Sequence, residues 1–211
     1  GYPLISAYLT GKELKLVAEI DASISDFMTT ARLYCSGLNF TFNPHRMILN
    51  KVTDCYLTRE DGERIEIQDD QLYRVVTDLY TGQMLGSVME MSYGLLKIEP
   101  KDKDGNPIEN LEDQAIMEGD KELKAWDAIA RYMKSFDDTD GNGISNVPEY
   151  YETTHGRKVV DDSKNIIDLV KHPNKYFAMI VGVVIVIILL IVLLIFLIRK
   201  IVRRLKRRKE K

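Results

Sequence analysis

A chain of 211 residues, 45% hydrophobic and 29% charged, suits one domain with attached segments, and such a domain buries a core without metal or disulfide staples. Two cysteines exclude a disulfide framework. The formal net charge is −3, of which the last 13 residues carry +8, so residues 1–198 carry −11, a balance that argues against nucleic acid as a partner.

Taken in order, Ile5 to Leu9 reads as a short strand. Thr10 then stands where an N-cap belongs, with Glu13 three residues on completing a capping box, and GKELKLVAEIDASI follows as a helix. A second helical or irregular stretch leads to ARLYCSGLNFTFN, where Leu33, Cys35, Phe40 and Phe42 alternate across a pleat. NPHR supplies the turn and MILNKVTDCYLT returns, which reads as a β-hairpin. With Pro44 and His45 at the turn, facing residues sum to about 90 and Cys35 stands opposite Cys55. Direct cross-strand disulfides are strained, and the fold does not need one. The sequon Asn39-Phe40-Thr41 matters only in a eukaryotic secretory host.

EDGERIEIQ adds a turn and a strand; QLYRVVTDLYTGQML reads as an apolar strand running into a loop; SYGLLKIEP reads as a further strand closed by Pro100. KDKDGNPIEN is a polar loop around Asp104-Gly105. ELKAWDAIARYMKSF places Leu123, Trp126, Ile129, Ala130 and Met133 on one face, as expected of a core-facing amphipathic helix. The expected fold is thus α+β, a mixed sheet with flanking helices.

In SFDDTDGNGISNVPEYY, the residues Asp138, Asp140, Asn142, Gly143 and Glu149 fall at positions 1, 3, 5, 6 and 12 of a calcium loop. Alternate oxygen ligands converge there because the chain turns sharply at the glycine. The match departs at Ile144, one position early, and at Pro148; the competing reading is a polar Asx turn ending the preceding helix. Asp138, Asp140, Asn142 and Glu149 are the candidate ligands of a structural calcium. Residues 150–176 are polar and read as a linker, with a short amphipathic turn at Ile166, Ile167, Leu169 and Val170.

Residues 177–198 are apolar without a charge, about 33 Å of helix and enough to span a bilayer. The basic tail, residues 199–211, is expected on the cytoplasmic side, close to anionic lipid. That puts residues 1–176 outside a cell membrane crossed once. An ectodomain so oriented needs a signal peptide, and the first residues show no basic segment followed by an apolar core. The chain is therefore read as the C-terminal fragment of a longer protein.

YPLISAYLTGKELK, LYCSGLNFTFNP, LYRVVTDLYTGQMLGS and GLLKIEPKDKDGNPI, in this order and at these spacings, resemble the C-terminal domain of the 5′-nucleotidase family over roughly residues 2–135. The family includes surface bifunctional metallophosphatases of bacteria. The resemblance implies an upstream calcineurin-like domain that carries a divalent metal pair and hydrolyses nucleotide phosphoesters, a step in nucleotide catabolism. The C-terminal domain, residues 1–136 here, would grip the nucleoside. By position it makes Tyr34, before Ser36-Gly37, and Tyr93, after the Gln83-Met84-Leu85 segment, the substrate-binding rings that would stack on a base. Where characterised members carry Asn-Gly-Gly-Asp-Gly-Phe, this chain reads TGQMLGSVMEMSYG. The competing reading takes both tyrosines as ordinary strand and loop residues.

The residues themselves offer no catalytic centre. His45, His155 and His172 are scattered and belong to no Asp-x-His or Gly-Asn-His motif, whereas two-metal hydrolysis needs clustered His, Asp and Asn ligands. Neither a nucleophile elbow nor a phosphate-cradling glycine loop occurs. The chain alone is expected to be inactive. A non-catalytic surface binding or spacer module, or a receptor stub, are the alternatives. The expected partners are a nucleotide or nucleoside, the upstream catalytic domain and membrane lipid.

Overall fold

The computed structural model describes residues 1–25 and 32–209. The second helical or irregular stretch expected before the hairpin falls largely on residues 26–31, outside the described residues.

Strand β1 (Leu4–Thr10) alternates as expected, with Ile5, Ala7 and Leu9 buried. Helix α1 (Gly11–Ile24) starts at the expected capping box. The Thr10 hydroxyl accepts the Glu13 N–H at 3.3 Å, and the Glu13 carboxylate accepts the Thr10 N–H at 2.8 Å. Gly11 is required by a close approach: a Cβ there would lie 2.1 Å from the Gln68 carbonyl oxygen. Leu14, Leu16, Val17 and Ile20 make α1 the spine of the core, joined by Leu9, Leu49, Leu96 and Ile98.

Strand β2 (Leu38–Phe42) pairs antiparallel with β3 (Val52–Thr58), which pairs with β4 (Arg64–Glu66). The hairpin forms, but with Phe40 opposite Cys55 and Leu38 opposite Leu57. The turn is longer than NPHR: the Asn43 side chain accepts the His45 N–H at 2.8 Å, and Asn50 donates its N–H to the Met47 carbonyl at 2.9 Å. The facing residues therefore sum to 95 over much of the ladder, and Cys35 falls before β2 instead of opposite Cys55. Both thiols are free. Burial pushes the Cys55 thiol up to about 12 and raises that of Cys35, which leaves both protonated and unreactive.

Strand β5 (Leu72–Asp78) returns antiparallel to β1, Leu4 facing Asp78 and Thr10 facing Leu72. The segment after it corrects an expectation. Residues 79–91 fold as helix α2 (Leu79–Met91) rather than a loop, with the Asp78 carboxylate accepting the Thr81 N–H at 3.0 Å as N-cap. Gly82, which resembles a loop signal, lets α2 press on β1: a Cβ there would meet Ile5 Cδ1 at 2.7 Å. Residues 95–99 likewise form no ladder. Leu96 and Ile98 are buried and Lys97 faces out, an extended alternation without a partner strand.

A small hairpin, β6 (Met117–Glu118) and β7 (Lys121–Glu122), precedes helix α3 (Ala125–Lys134). The helix is where expected, but its apolar face is not core-facing: none of its residues is buried, and Trp126 is 62% exposed. Periodicity fixes which side of a helix is apolar and not what covers it.

Residues 150–176 bring the largest correction. They are no free linker. Strand β8 (Lys158–Val160) joins β2 in parallel, giving a mixed four-stranded sheet in the order β4-β3-β2-β8. The Asn43 amide donates to the Ser163 carbonyl at 2.7 Å. Buried Arg46 donates through Nε to the Asn50 carbonyl and through Nη1 and Nη2 to the carbonyls of Asp168 and Lys171, fastening the short helix α4 (Ile166–Val170). Asn174 is held as well: its N–H donates to the Asn50 side chain and its amide to the Leu49 carbonyl, while Tyr176 sits in the core, 5% exposed. Helix α5 (Lys175–Lys209) follows without a break, and its Lys175–Arg203 part is long and apolar enough to cross a membrane.

Candidate ligand-binding site

Tyr34 lies on the irregular segment before β2. Its backbone neighbours are tied down: Leu33 donates its N–H to buried Asp21 at 2.7 Å, and Lys158 reaches from β8 to Asp21 at 2.6 Å and to the Leu33 carbonyl. The Lys158 ammonium also sits 5.5 Å from the Tyr34 ring centre. The ring itself is 88% exposed. Tyr93 closes α2 in the left-handed region at φ 51°, its N–H bonded to the Glu90 carbonyl at 3.0 Å and its ring 99% exposed. Both are open aromatic faces on fixed backbone, able to stack on a planar group. No ring contact joins them among the described residues.

The Asp138 loop is closed on itself. Asp138 accepts N–H groups from Gly141 at 2.8 Å, Asn142 at 3.2 Å and Gly143 at 2.8 Å, and these bonds, that from Gly143 foremost, hold its carboxyl below the usual range. Asp140 accepts both the backbone and the side-chain N–H of Asn142. Glu149 begins a 3₁₀ turn and makes no bond into this network. Among the described residues no three His, Cys, Asp or Glu side chains are gathered to hold a metal ion. The histidines stand apart: His45 bonds Asp162 at 2.7 Å, and His155 stacks on Tyr150 at 3.8 Å.

A cleft of about 960 Å³ opens between α1, β3, the 97–101 segment and the start of α5. Sequence reasoning missed it, because its walls come from five separated segments with no common spacing. Its carboxylates are all engaged. Lys101 bonds Glu13 at 2.7 Å, Lys97 bonds Glu99 at 3.1 Å, and Lys15 bonds Asp69 at 2.7 Å. Arg64 holds Asp54 at 2.9 Å and Glu66 at 2.6 Å. Burial alone would raise the Glu13 carboxyl, but Lys101 and the N–H groups of Thr10 and Glu99 outweigh it and hold Glu13 low. Glu19 is the opposite case. It accepts the N–H groups of Lys51 and Val52 at 3.0 Å each, yet burial prevails and pushes it up to about 7.

Residues 1–92 match the family model described as the 5′-nucleotidase C-terminal domain. Among solved structures, the 5′-nucleotidase precursor from Thermus thermophilus is 18% identical with a TM-score of 0.49, over 77% of this chain and 26% of its own. The NAD nucleotidase NadN of Haemophilus influenzae is 22% identical with a TM-score of 0.33, over 38% of this chain and 15% of its own. The chain thus spans about a quarter or less of these longer proteins. No curated protein matches it. The architecture is a mixed α+β domain followed by one long apolar helix. Over its first 92 residues the chain is similar to the C-terminal domain of the 5′-nucleotidase family.

Proposed function

We propose that the chain is the substrate-gripping C-terminal portion of a longer extracellular phosphoester hydrolase of the 5′-nucleotidase type, anchored in the cell membrane by α5. The observation that carries this reading is the match of residues 1–92 to the family's C-terminal domain. In this reading the metal pair and the hydrolytic step belong to an upstream domain, and Tyr34 and Tyr93 position the base of a nucleotide. The basic tail lies on the cytoplasmic side.

Replacing either tyrosine by alanine in the full-length enzyme is expected to raise KM for a nucleotide several-fold, because each ring contributes about 1 kcal/mol of stacking. KM for a small phosphate ester that never reaches the rings stays unchanged. Equal effects on the two substrates would make the tyrosines structural. A second reading, a non-catalytic anchored binding or spacer module, draws on α2, which stands where characterised members have a glycine-rich segment. A metal-ligand domain upstream in the full reading frame selects the enzyme.

Asp138, Asp140 and Asn142 are gathered by their own loop, and as calcium ligands they need Glu149 to swing in. Millimolar calcium is then expected to raise the thermal midpoint and to release heat on titration. An unchanged midpoint with no heat removes the site.

A further inference from the structure

We infer that the cleft between α1, β3 and the start of α5 holds the headgroup of an anionic phospholipid from the leaflet that α5 enters. This inference rests on the anchored reading. Its first support is position. Lys175 and Tyr176 line the cleft and are also the first two residues of α5, while the apolar run begins at Phe177. Asn174 caps that helix, its side-chain oxygen accepting the N–H groups of Tyr176 and Phe177 at 3.0 Å each. The Tyr176 hydroxyl donates to the Leu95 carbonyl at 3.3 Å, so no slack separates cleft and helix. Headgroups begin where hydrocarbon ends, and Lys175 and Tyr176, which line the cleft, stand at that level.

Charge is the second support. With every lining carboxylate already engaged, Lys12 and Lys175 line the cleft without a carboxylate partner among the described residues. Each ammonium can take an anionic oxygen; a choline group would find no carboxylate without a partner. The third support is a buried donor. Asn50 lines the cleft and is 2% exposed; its side-chain oxygen accepts the Asn174 N–H at 3.0 Å, but its Nδ2 has no hydrogen-bond partner. A buried N–H of this kind calls for an acceptor, and a phosphate oxygen is one. The volume, about 960 Å³, suits a ligand of this size. Tyr176 is the one Phe, Tyr or Trp side chain in the lining and it is committed to the core, which disfavours a nucleotide base here.

The test uses the full chain, delipidated in detergent and titrated with phosphatidylglycerol or phosphatidylcholine, with retained lipid counted by native mass spectrometry. One phosphatidylglycerol per chain is expected to be retained at least ten-fold better than phosphatidylcholine. Lys12→Gln, on α1 and outside the apolar helix, and Lys175→Gln should each abolish that preference; both lysines are exposed, so the fold tolerates the change. Asn50→Asp, which keeps the acceptor and removes the donor, should do the same. Equal retention by wild type and the lysine variants overturns the inference. So does displacement of the lipid by glycerol 3-phosphate at matching concentration, which assigns the cleft to a soluble anion. Flotation with phosphatidylcholine vesicles separates the two readings: failure to float defeats the anchoring itself, whereas normal flotation with equal retention defeats only the cleft.

Discussion

Arg46→Met is expected to destabilise the domain by about 4 kcal/mol, since a hydrogen bond to a charged group is worth roughly 1.5–3 kcal/mol and three carbonyls lose theirs together, with some relaxation. Arg46 is buried, and its guanidinium joins the Asn50, Asp168 and Lys171 carbonyls at once. For a domain of this size the thermal midpoint should fall by roughly 10 °C. The loss should also be uneven. Hydrogen exchange at the amides of Leu169 and Lys171, which close α4 onto Asn165 and Ile167, should lose protection first, while the β1–β5 ladder keeps its own. Arg46→Lys should recover less than half, because one ammonium cannot span three acceptors in a fixed fork. A loss below 1 kcal/mol, or uniform loss of protection, would refute the staple.

Glu19 provides the second large effect, this time through pH. Burial pushes its folded-state pKa from 4.5 up to about 7. Between those values the folded protein keeps a proton that the unfolded chain has released, so stability falls as pH rises through this window and is level above it. The loss comes to about 3 kcal/mol. Glu13 acts in the opposite sense: its pKa is lowered by Lys101 and backbone N–H groups in spite of burial, so its contribution is present above its unfolded pKa and lost on acidification. From these two groups stability is greatest near pH 4.5, the unfolded-state value that they share. Thermal unfolding of the full chain in detergent at pH 5 and pH 8 should show the wild type losing stability on the alkaline side, and Glu19→Gln losing much less. Parallel behaviour of the two proteins would mean that Glu19 is not the titrating group.

What could be read in advance was local. The Thr10–Glu13 capping box needs only three residues of separation, and the alternation of β1 needs only its neighbours, so both appear in the sequence as they stand in the fold. The hairpin was legible as a pair but not in register, because the length of its turn is set by hydrogen bonds among Asn43, Met47 and Asn50 that leave no spacing rule. The stretch after β5 reads as a loop, yet it is a helix in which Gly82 allows the approach to Ile5. Leu96 and Ile98 alternate as a strand does, and only the absence of a partner distinguishes them.

The docking of residues 158–176 was hidden for a different reason. Arg46 binds main-chain carbonyls at positions 168 and 171. Any residue offers a carbonyl, so composition there carries no trace of the attachment. The candidate rings, Tyr34 and Tyr93, came from family position alone, and nothing in their exposure distinguishes a ligand ring from a surface ring.

The burial of Tyr176 at the foot of α5 bears on release from the membrane. Anchored enzymes are commonly shed by cutting an unstructured stalk. Here, in the anchored reading, β8, α4 and Asn174 are all fastened to the domain, and the stretch from Lys158 to the helix is folded polypeptide rather than tether. A protease has to open part of the domain before it can sever the domain from its helix. The same continuity leaves no swivel: whatever tilt the helix takes in the bilayer is the heading of the domain above it.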